Sequence, residues 1–296
     1  MHVLMCIPNI SEGTDLQVVE AVMDQIRGVP GVKVLNYSSD ADHNRSVLSY
    51  LGEPEAVLAA TQAMACKAFE LIDMTQHQGS HPRMGAVDVV PFVPVRGVTM
   101  KEAVAISRRF GRFVGEQGIP VYYYEEAATC PARERLPDIR KGQYEGLAKK
   151  LADPAWQPDE GPAAFVPRTG ALVTGARFPL VAFNVNLNTA DLGLANRIAR
   201  AVRHSSGGYR HVRAMGVELK EQGMVQVSMN MVNYVKTPLP RVLETIRAEA
   251  ARYGVAVCGT ELIGAVPLGV LEQAVAYYLQ THDLASDQIV EMALLE

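Results

Sequence analysis

The apolar residues of this chain change period in the same order twice, and that order limits the folds open to it. A short apolar run over 3–7 predicts a strand, and Val18, Val19, Ala21, Val22 and Ile26 predict a helix over 15–27, capped by Ser11 or Thr14. Strands follow over 32–37 and 46–51. Pro54 opens a long helix through Ala56, Val57, Ala60, Met64, Phe69 and Leu71, a position where its missing N–H costs nothing. An apolar run over 87–95 closes a β-α-β-β-α-β series, and a helix capped by Thr99 and a strand over 121–125 extend it. The second series has a strand over 180–187, a helix over 191–204 and strands over 211–219 and 224–232 joined by a polar turn. A helix opened by Thr237 and Pro238 and a strand over 255–258 complete it. A last helix over 268–279 leads to an acidic tail.

That order predicts an α+β chain of two ferredoxin-like (βαββαβ) subdomains, over 1–177 and 178–296. Each would be an antiparallel-rich sheet with its helices on one face. Residue identity between the halves is poor, so the duplication rests on element order. Pro91 and Pro94 each remove a ladder donor, which predicts that the 87–95 strand sits at an edge, ends early or carries a bulge. Residues 133–151 read as helical. Residues 152–170 hold four prolines and two glycines with no periodicity, and read as a loop connecting the units at the mouth of a cleft.

A length of 296 residues suits two such units, and a net charge of −4 argues against nucleic-acid binding, which calls for a basic stripe. No run approaches the roughly 20 apolar residues of a membrane span, and the first residues turn polar too soon for a signal peptide. Cys6, Cys66, Cys130 and Cys258 form no CxxC. Cys6, Cys66 and Cys258 lie in apolar segments and read as buried reduced thiols. The expectation is a cytoplasmic protein.

The densest polar chemistry lies over 74–95, where His77, His81, Arg83 and Asp88 crowd into a glycine-containing turn before an apolar strand. Two histidines four apart could share a helix face and a metal. Gly79 and Pro82 break such a helix, and no HExxH glutamate or third ligand is present. Surface histidines and an acid–base histidine remain the other readings; an imidazole suits proton transfer at neutral pH. Asp88 would orient that imidazole, bind substrate, or only begin a strand. Asp40, His43, Asn44 and Arg45 form a second polar cluster, either a turn or part of the cleft lining. No GxSxG, GxGxxG or Walker pattern occurs.

Several longer motifs resemble the formiminotransferase family. They are Cys6-Ile-Pro-Asn-Ile-Ser-Glu-Gly13, Asp42-His-Asn-Arg-Ser-Val47 and the His81-Pro-Arg-Met-Gly-Ala-Val-Asp run to Val95. The Gly161-Pro-Ala-Ala-Phe-Val-Pro stretch, the 180–187 segment and Gln226-Val-Ser-Met-Asn230 belong with them. The resemblance implies two ferredoxin-like subdomains with a ligand tunnel between them. It implies transfer of a formimino group between N-formimino-L-glutamate and tetrahydrofolate, giving 5-formiminotetrahydrofolate and glutamate, in histidine degradation. His81 matches the family's catalytic histidine. The family's folate stretch falls on Gly161, Pro162, Ala163, Ala164, Phe165, Val166, Pro167, Arg168, Thr169 and Gly170. Arg45, Arg83, Arg168 and Arg177 become candidate anchors for substrate carboxylates, a homodimer is implied and no metal is expected. Glu160 and Arg168-Thr169 depart from the family pattern, which keeps formyl transfer as an alternative; a non-catalytic folate- or amino-acid-binding module is another, since ferredoxin-like pairs also serve as sensor domains.

Overall fold

The computed structural model describes residues 2–281, 284, 288–290 and 292; the acidic tail lies otherwise outside the described residues. The chain divides into two compact units, the first ending at Arg177 and the second beginning at Phe178. Among the described residues no helix is long and apolar enough to cross a membrane.

The first unit contains β1 (Val3–Cys6), β2 (Asn9–Ile10), α1 (Leu16–Arg27), β3 (Val32–Asp40), β4 (Arg45–Gly52), α2 (Pro54–Leu71) and β5 (Val87–Arg96). Then come α3 (Met100–Glu116), β6 (Val121–Glu125), the short helices α4 (Leu136–Ile139) and α5 (Leu147–Ala152), and β7 (Leu172–Ala176). β1 and β2 act as one interrupted strand, antiparallel to β4 on one side and to β5 on the other, with β3 beyond β4. β7 and β6 add in parallel to the free side of β5. The expected β-α-β-β-α-β series is thus present, with its fourth strand beside the first.

Leu4, Cys6, Leu48 and Tyr50 alternate into a core with Val19, Val22, Ala60, Met64, Ile106 and Phe110 from α1, α2 and α3. Their burial supplies most of the driving force for this unit. The Thr99 cap is as expected: its hydroxyl accepts the Glu102 N–H while Glu102 reaches back to the Thr99 N–H. The cap of α1 is Asp15 instead of Ser11 or Thr14, because its carboxylate accepts from the Gln17 and Val18 amides.

The prolines of β5 have another resolution than an edge or an early end. β5 is an interior strand of ten residues, and register shifts against β1 and β2 supply the expected bulge. The Pro91 carbonyl accepts from the Ile7 N–H, where the partner strand is itself interrupted by Pro8. The missing donor therefore falls at a break in the ladder.

The segment after β6 differs most from expectation. It is not a helix over 133–151 followed by a connector between units. Pro137, Gly142 and Gly146 break it into short turns, and the chain returns to the same sheet as β7. Parallel neighbours require a crossover, and residues 126–171 form it. Ile139, Leu147 and Leu151 from this crossover cover Val89, Tyr122, Tyr124 and Val173 on the sheet face opposite α1–α3. Burial on both faces explains why β5 is apolar almost throughout. A buried ion pair staples the crossover, Arg133 to Asp159 at 2.9 Å, with the guanidinium over the Tyr122 and Trp156 rings.

The second unit contains β8 (Val181–Leu187), α6 (Leu192–Val202), β9 (Val212–Leu219), β10 (Met224–Met231), α7 (Leu239–Ala251), β11 (Val257–Ile263) and α8 (Leu268–Leu279). Its antiparallel sheet runs β11-β8-β10-β9, again fourth, first, third, second. Val181, Phe183, Val185 and Leu187 pack against Leu194, Ile198, Val242 and Ile246. The two halves therefore share a topology that their residue identities hide.

Of the cysteines read as buried, only Cys6 is; Cys66 and Cys258 are exposed, and all four are free thiols. Apolar neighbours in sequence mark the buried side of an element only where the period places the cysteine on it.

Candidate active site

The turn between α2 and β5 is held by its backbone, as its composition suggested. No helix continues through His77 and His81. Gly79 passes so close to the β3–β4 loop that a Cβ there would meet the Asn44 side chain at 2.9 Å. Met84 N–H donates to Asp88 Oδ1 at 2.8 Å, and the other Asp88 oxygen pairs with Arg140. Ser11 donates its hydroxyl to the Gly85 carbonyl and its amide to the Ala86 carbonyl. The end of the 161–170 stretch then crosses the turn, with Ala86 N–H donating to Thr169 O and Ala171 N–H to Met84 O. Gly170 sits at φ +69, where a Cβ would lie on the Met84 carbonyl. Gly170→Ala should therefore lower stability by more than the about 1–3 kcal/mol of left-handed strain alone, read as a reduced urea midpoint.

His81 projects from this turn toward Arg45. Arg45 Nη1 donates to His81 Nε2 at 2.9 Å and to Asn9 Oδ1 at 3.0 Å. A guanidinium has no acceptor, so the imidazole presents the Nε2 lone pair and carries its proton on Nδ1. The pKa of His81 is lowered from 6.5 to about 4, first by burial and then by the charges of Arg45, Arg140 and His43. At neutral pH the ring is an unprotonated base. His43 stands edge-on to it, ring centroids 5.9 Å apart, and pairs through Nδ1 with Asp40 at 2.8 Å.

The other candidates fall into distinct roles. Asn44 holds φ +46 and is a structural hub: it accepts the Gly13 N–H, donates to Gln78 O, and its carbonyl accepts from His77 Nε2. His77 Nδ1 accepts from Arg83 Nε at 3.3 Å, so both of its nitrogens tie the turn down. Arg83 is spent on a two-pronged pair with Glu145, at 2.6 and 3.0 Å. Arg168 folds back onto the Glu70 carbonyl and Asp73. Arg177 is half-buried and interacts with Tyr124. Arg45 makes no ion pair among the described residues.

Ser11, His43, Asn44, Arg45, His77, His81, Arg83 and Asp88 line a closed crevice that leaves no room for a water molecule. Four buried side-chain atoms here lack a hydrogen-bond partner: Arg45 Nε, His81 Nδ1, Arg140 Nε and Thr169 Oγ1. Such orphans are rare in folded proteins, and their concentration marks a functional region. No group of three or more His, Cys, Asp or Glu among the described residues could hold a metal.

In the 161–170 stretch, Gly161, Ala163, Ala164, Pro167 and Arg168 are exposed and Pro162, Phe165 and Val166 are half-buried. Phe165 packs on the Tyr144 ring, and Tyr144 donates its hydroxyl to Pro167 O at 2.6 Å.

Sequence reasoning missed Arg140, Asn9 and Glu145. Asn9 lies inside one of the family-like motifs, whereas Arg140 and Glu145 sit in the 133–151 segment read as a plain helix, where nothing singles them out. In the second unit, Asn186 and Gln226 of the quoted motifs are cross-strand partners, and Gln226 Nε2 donates to Asn186 at 2.8 Å and to Glu261 at 3.0 Å.

Residues 3–177 match the family described as formiminotransferase domain, N-terminal subdomain, and residues 182–295 match the formiminotransferase domain. The chain is 46% identical to the glutamate formimidoyltransferase of Streptococcus pyogenes serotype M1, over 99% of both chains. It is 43% identical to that of Thermoplasma acidophilum, over 98% of this chain and 97% of the other. It is also 43% identical to the formimidoyltransferase-cyclodeaminase of Gallus gallus, over 94% of this chain and 53% of the other.

Proposed function

The chain belongs to the formiminotransferase family, and from that premise we propose that it transfers a formimino group between N-formimino-L-glutamate and tetrahydrofolate, with His81 as general base and then acid. The single observation that carries the catalytic part is His81 itself, a half-buried neutral imidazole whose Nε2 lone pair faces a guanidinium with no ion-pair partner among the described residues. A binding module would have no use for a base held unprotonated in this way.

The chemistry requires one proton carrier. The N5 amine of tetrahydrofolate attacks the formimino carbon; the N5–carbon bond forms and the C=N π electrons move onto nitrogen. His81 takes the N5 proton; the electrons on the imino nitrogen then re-form the C=N bond, and His81 returns the proton to the glutamate nitrogen as the carbon–nitrogen bond to glutamate breaks. Glutamate and 5-formiminotetrahydrofolate leave, which places the reaction in histidine degradation. The folate is assigned to the stretch from Gly161 to Gly170, whose buried end bonds the His81 turn through Thr169 O and the Ala86 N–H. Tetrahydrofolate is a co-substrate, and the working form is assigned as a cytoplasmic homodimer.

Incubation with tetrahydrofolate and N-formimino-L-glutamate should change folate absorbance and release glutamate. N-formylglutamate should turn over at least tenfold more slowly. A preference for the formyl compound would reassign the one-carbon group, and loss of both activities would leave a binding module.

A further inference from the structure

We propose that Arg45 is a latch on His81: an incoming substrate carboxylate takes the Arg45 guanidinium as its ion-pair partner and thereby frees the Nε2 lone pair to accept a proton. The proposal deepens the transfer reading and rests on it for the identity of the carboxylate.

Three observations carry it. First, His81 cannot serve as a base in the arrangement seen, because Nε2 is engaged by Arg45 at 2.9 Å and Nδ1 is buried without a partner. Some group must move before a substrate proton can reach either nitrogen.

Second, Arg45 is the group whose bonds are easiest to exchange. Of its five N–H donors, Nη1 holds two weak neutral acceptors, Asn9 Oδ1 and His81 Nε2, while Nε is buried with no acceptor. The carboxylates nearest to it are already committed: Asp88 to Arg140 and the Met84 amide, Asp40 to His43. A carboxylate that accepts two parallel N–H bonds from a guanidinium makes a stronger bond than an imidazole nitrogen does. The exchange therefore runs toward the carboxylate.

Third, the three alternative anchors are engaged. Arg83 is paired with Glu145, Arg168 with Asp73 and the Glu70 carbonyl, and Arg177 with Tyr124.

The latch has an electrostatic consequence. The groups facing His81 are Arg45 on β4, His43 with its partner Asp40 at the β3–β4 loop, Arg140 in the crossover with its partner Asp88 on β5, and Asn9 on β2. Neutralising Arg45 removes one of the positive charges that oppose protonation, so His81 becomes a stronger base when a carboxylate is bound. Basicity would rise only in the complex, where the proton is to be taken.

The test follows the imidazole nitrogens of the isotope-labelled full-length protein by NMR, with His81 assigned from His81→Gln. The probe is glutarate, a dicarboxylate with no transferable group. Adding glutarate should shift the His81 Nε2 resonance and raise the His81 pKa by about one unit, the size expected from neutralising one adjacent charge. In Arg45→Gln the pKa should already be raised and glutarate should no longer move it. Arg45→Lys, which keeps the charge but not the fork, should keep the low pKa and respond more weakly. A His81 signal that saturating glutarate leaves unchanged, or an Arg45→Gln protein with the wild-type pKa, overturns the latch. Formimino transfer is assayed separately on the same samples. Turnover with a silent His81 sinks the latch alone, and a responsive His81 without turnover sinks the transfer reading alone.

Discussion

Replacing His81 with alanine should lower the turnover number by about 10²–10⁴-fold, the range supplied by a positioned proton carrier. Attack by the folate nitrogen and departure of the glutamate nitrogen both need that carrier. His43 is held by Asp40, and His77 has both nitrogens engaged. The His81 side chain belongs to neither hydrophobic cluster of its unit and loses one hydrogen bond, to Arg45, so stability should stay within about 1.5 kcal/mol of wild type. Binding of a folate analogue should persist. Equal losses in binding and turnover would show that His81 shapes the site and does not act in it. Unchanged turnover would remove it from the mechanism.

The second large effect concerns the pair beneath the turn. Arg140→Met should destabilise the protein by about 3–5 kcal/mol at neutral pH, the cost of breaking a buried ion pair from one side. Asp88 is 1% exposed, and Arg140 is its only counter-ion among the described residues. Burial already raises the Asp88 pKa, with Arg140 the strongest opposing influence. Removing Arg140 lets burial dominate, so the folded-state pKa rises further above its unfolded value. A raised carboxyl pKa contributes stability that is present at low pH and lost as pH climbs through the folded pKa. The deficit of the variant should therefore shrink on acidification, measured as urea midpoints across that range. Adding Asp88→Asn should recover much of the loss at neutral pH, because a neutral amide can still accept the Met84 amide proton. Activity should fall with Arg140→Met as well, since Asp88 then holds the His81 turn less firmly. A deficit that does not vary with pH would mean that lost packing, not an orphaned carboxylate, is responsible.

What could be read from residue order and what could not separate along one physical line. Local periodicity and capping chemistry place α8 and the Thr99 cap, and they place the two β-α-β-β-α-β series, because these depend on neighbours within a few residues. β7 went unread: its five residues have no alternation, being buried on both faces. Arg140 lies 52 residues from Asp88, and the glycines and prolines of the crossover erase any period that would flag it. The role of Pro91 was also out of reach, since its missing donor is excused by a break in a strand more than eighty residues earlier. His81 was legible in type and in motif. Its restraint by Arg45 was not, because that bond joins the two separate polar clusters.

The most direct test of the central claim follows the transferred carbon. N-formimino-L-glutamate isotopically labelled at the formimino carbon is incubated with tetrahydrofolate and the wild-type protein and observed by carbon NMR. The label should leave glutamate and appear on the folate in step with free glutamate, one for one, and should stay on glutamate with His81→Ala. Label released as formamide or formate, with no folate-bound carbon, would contradict the account.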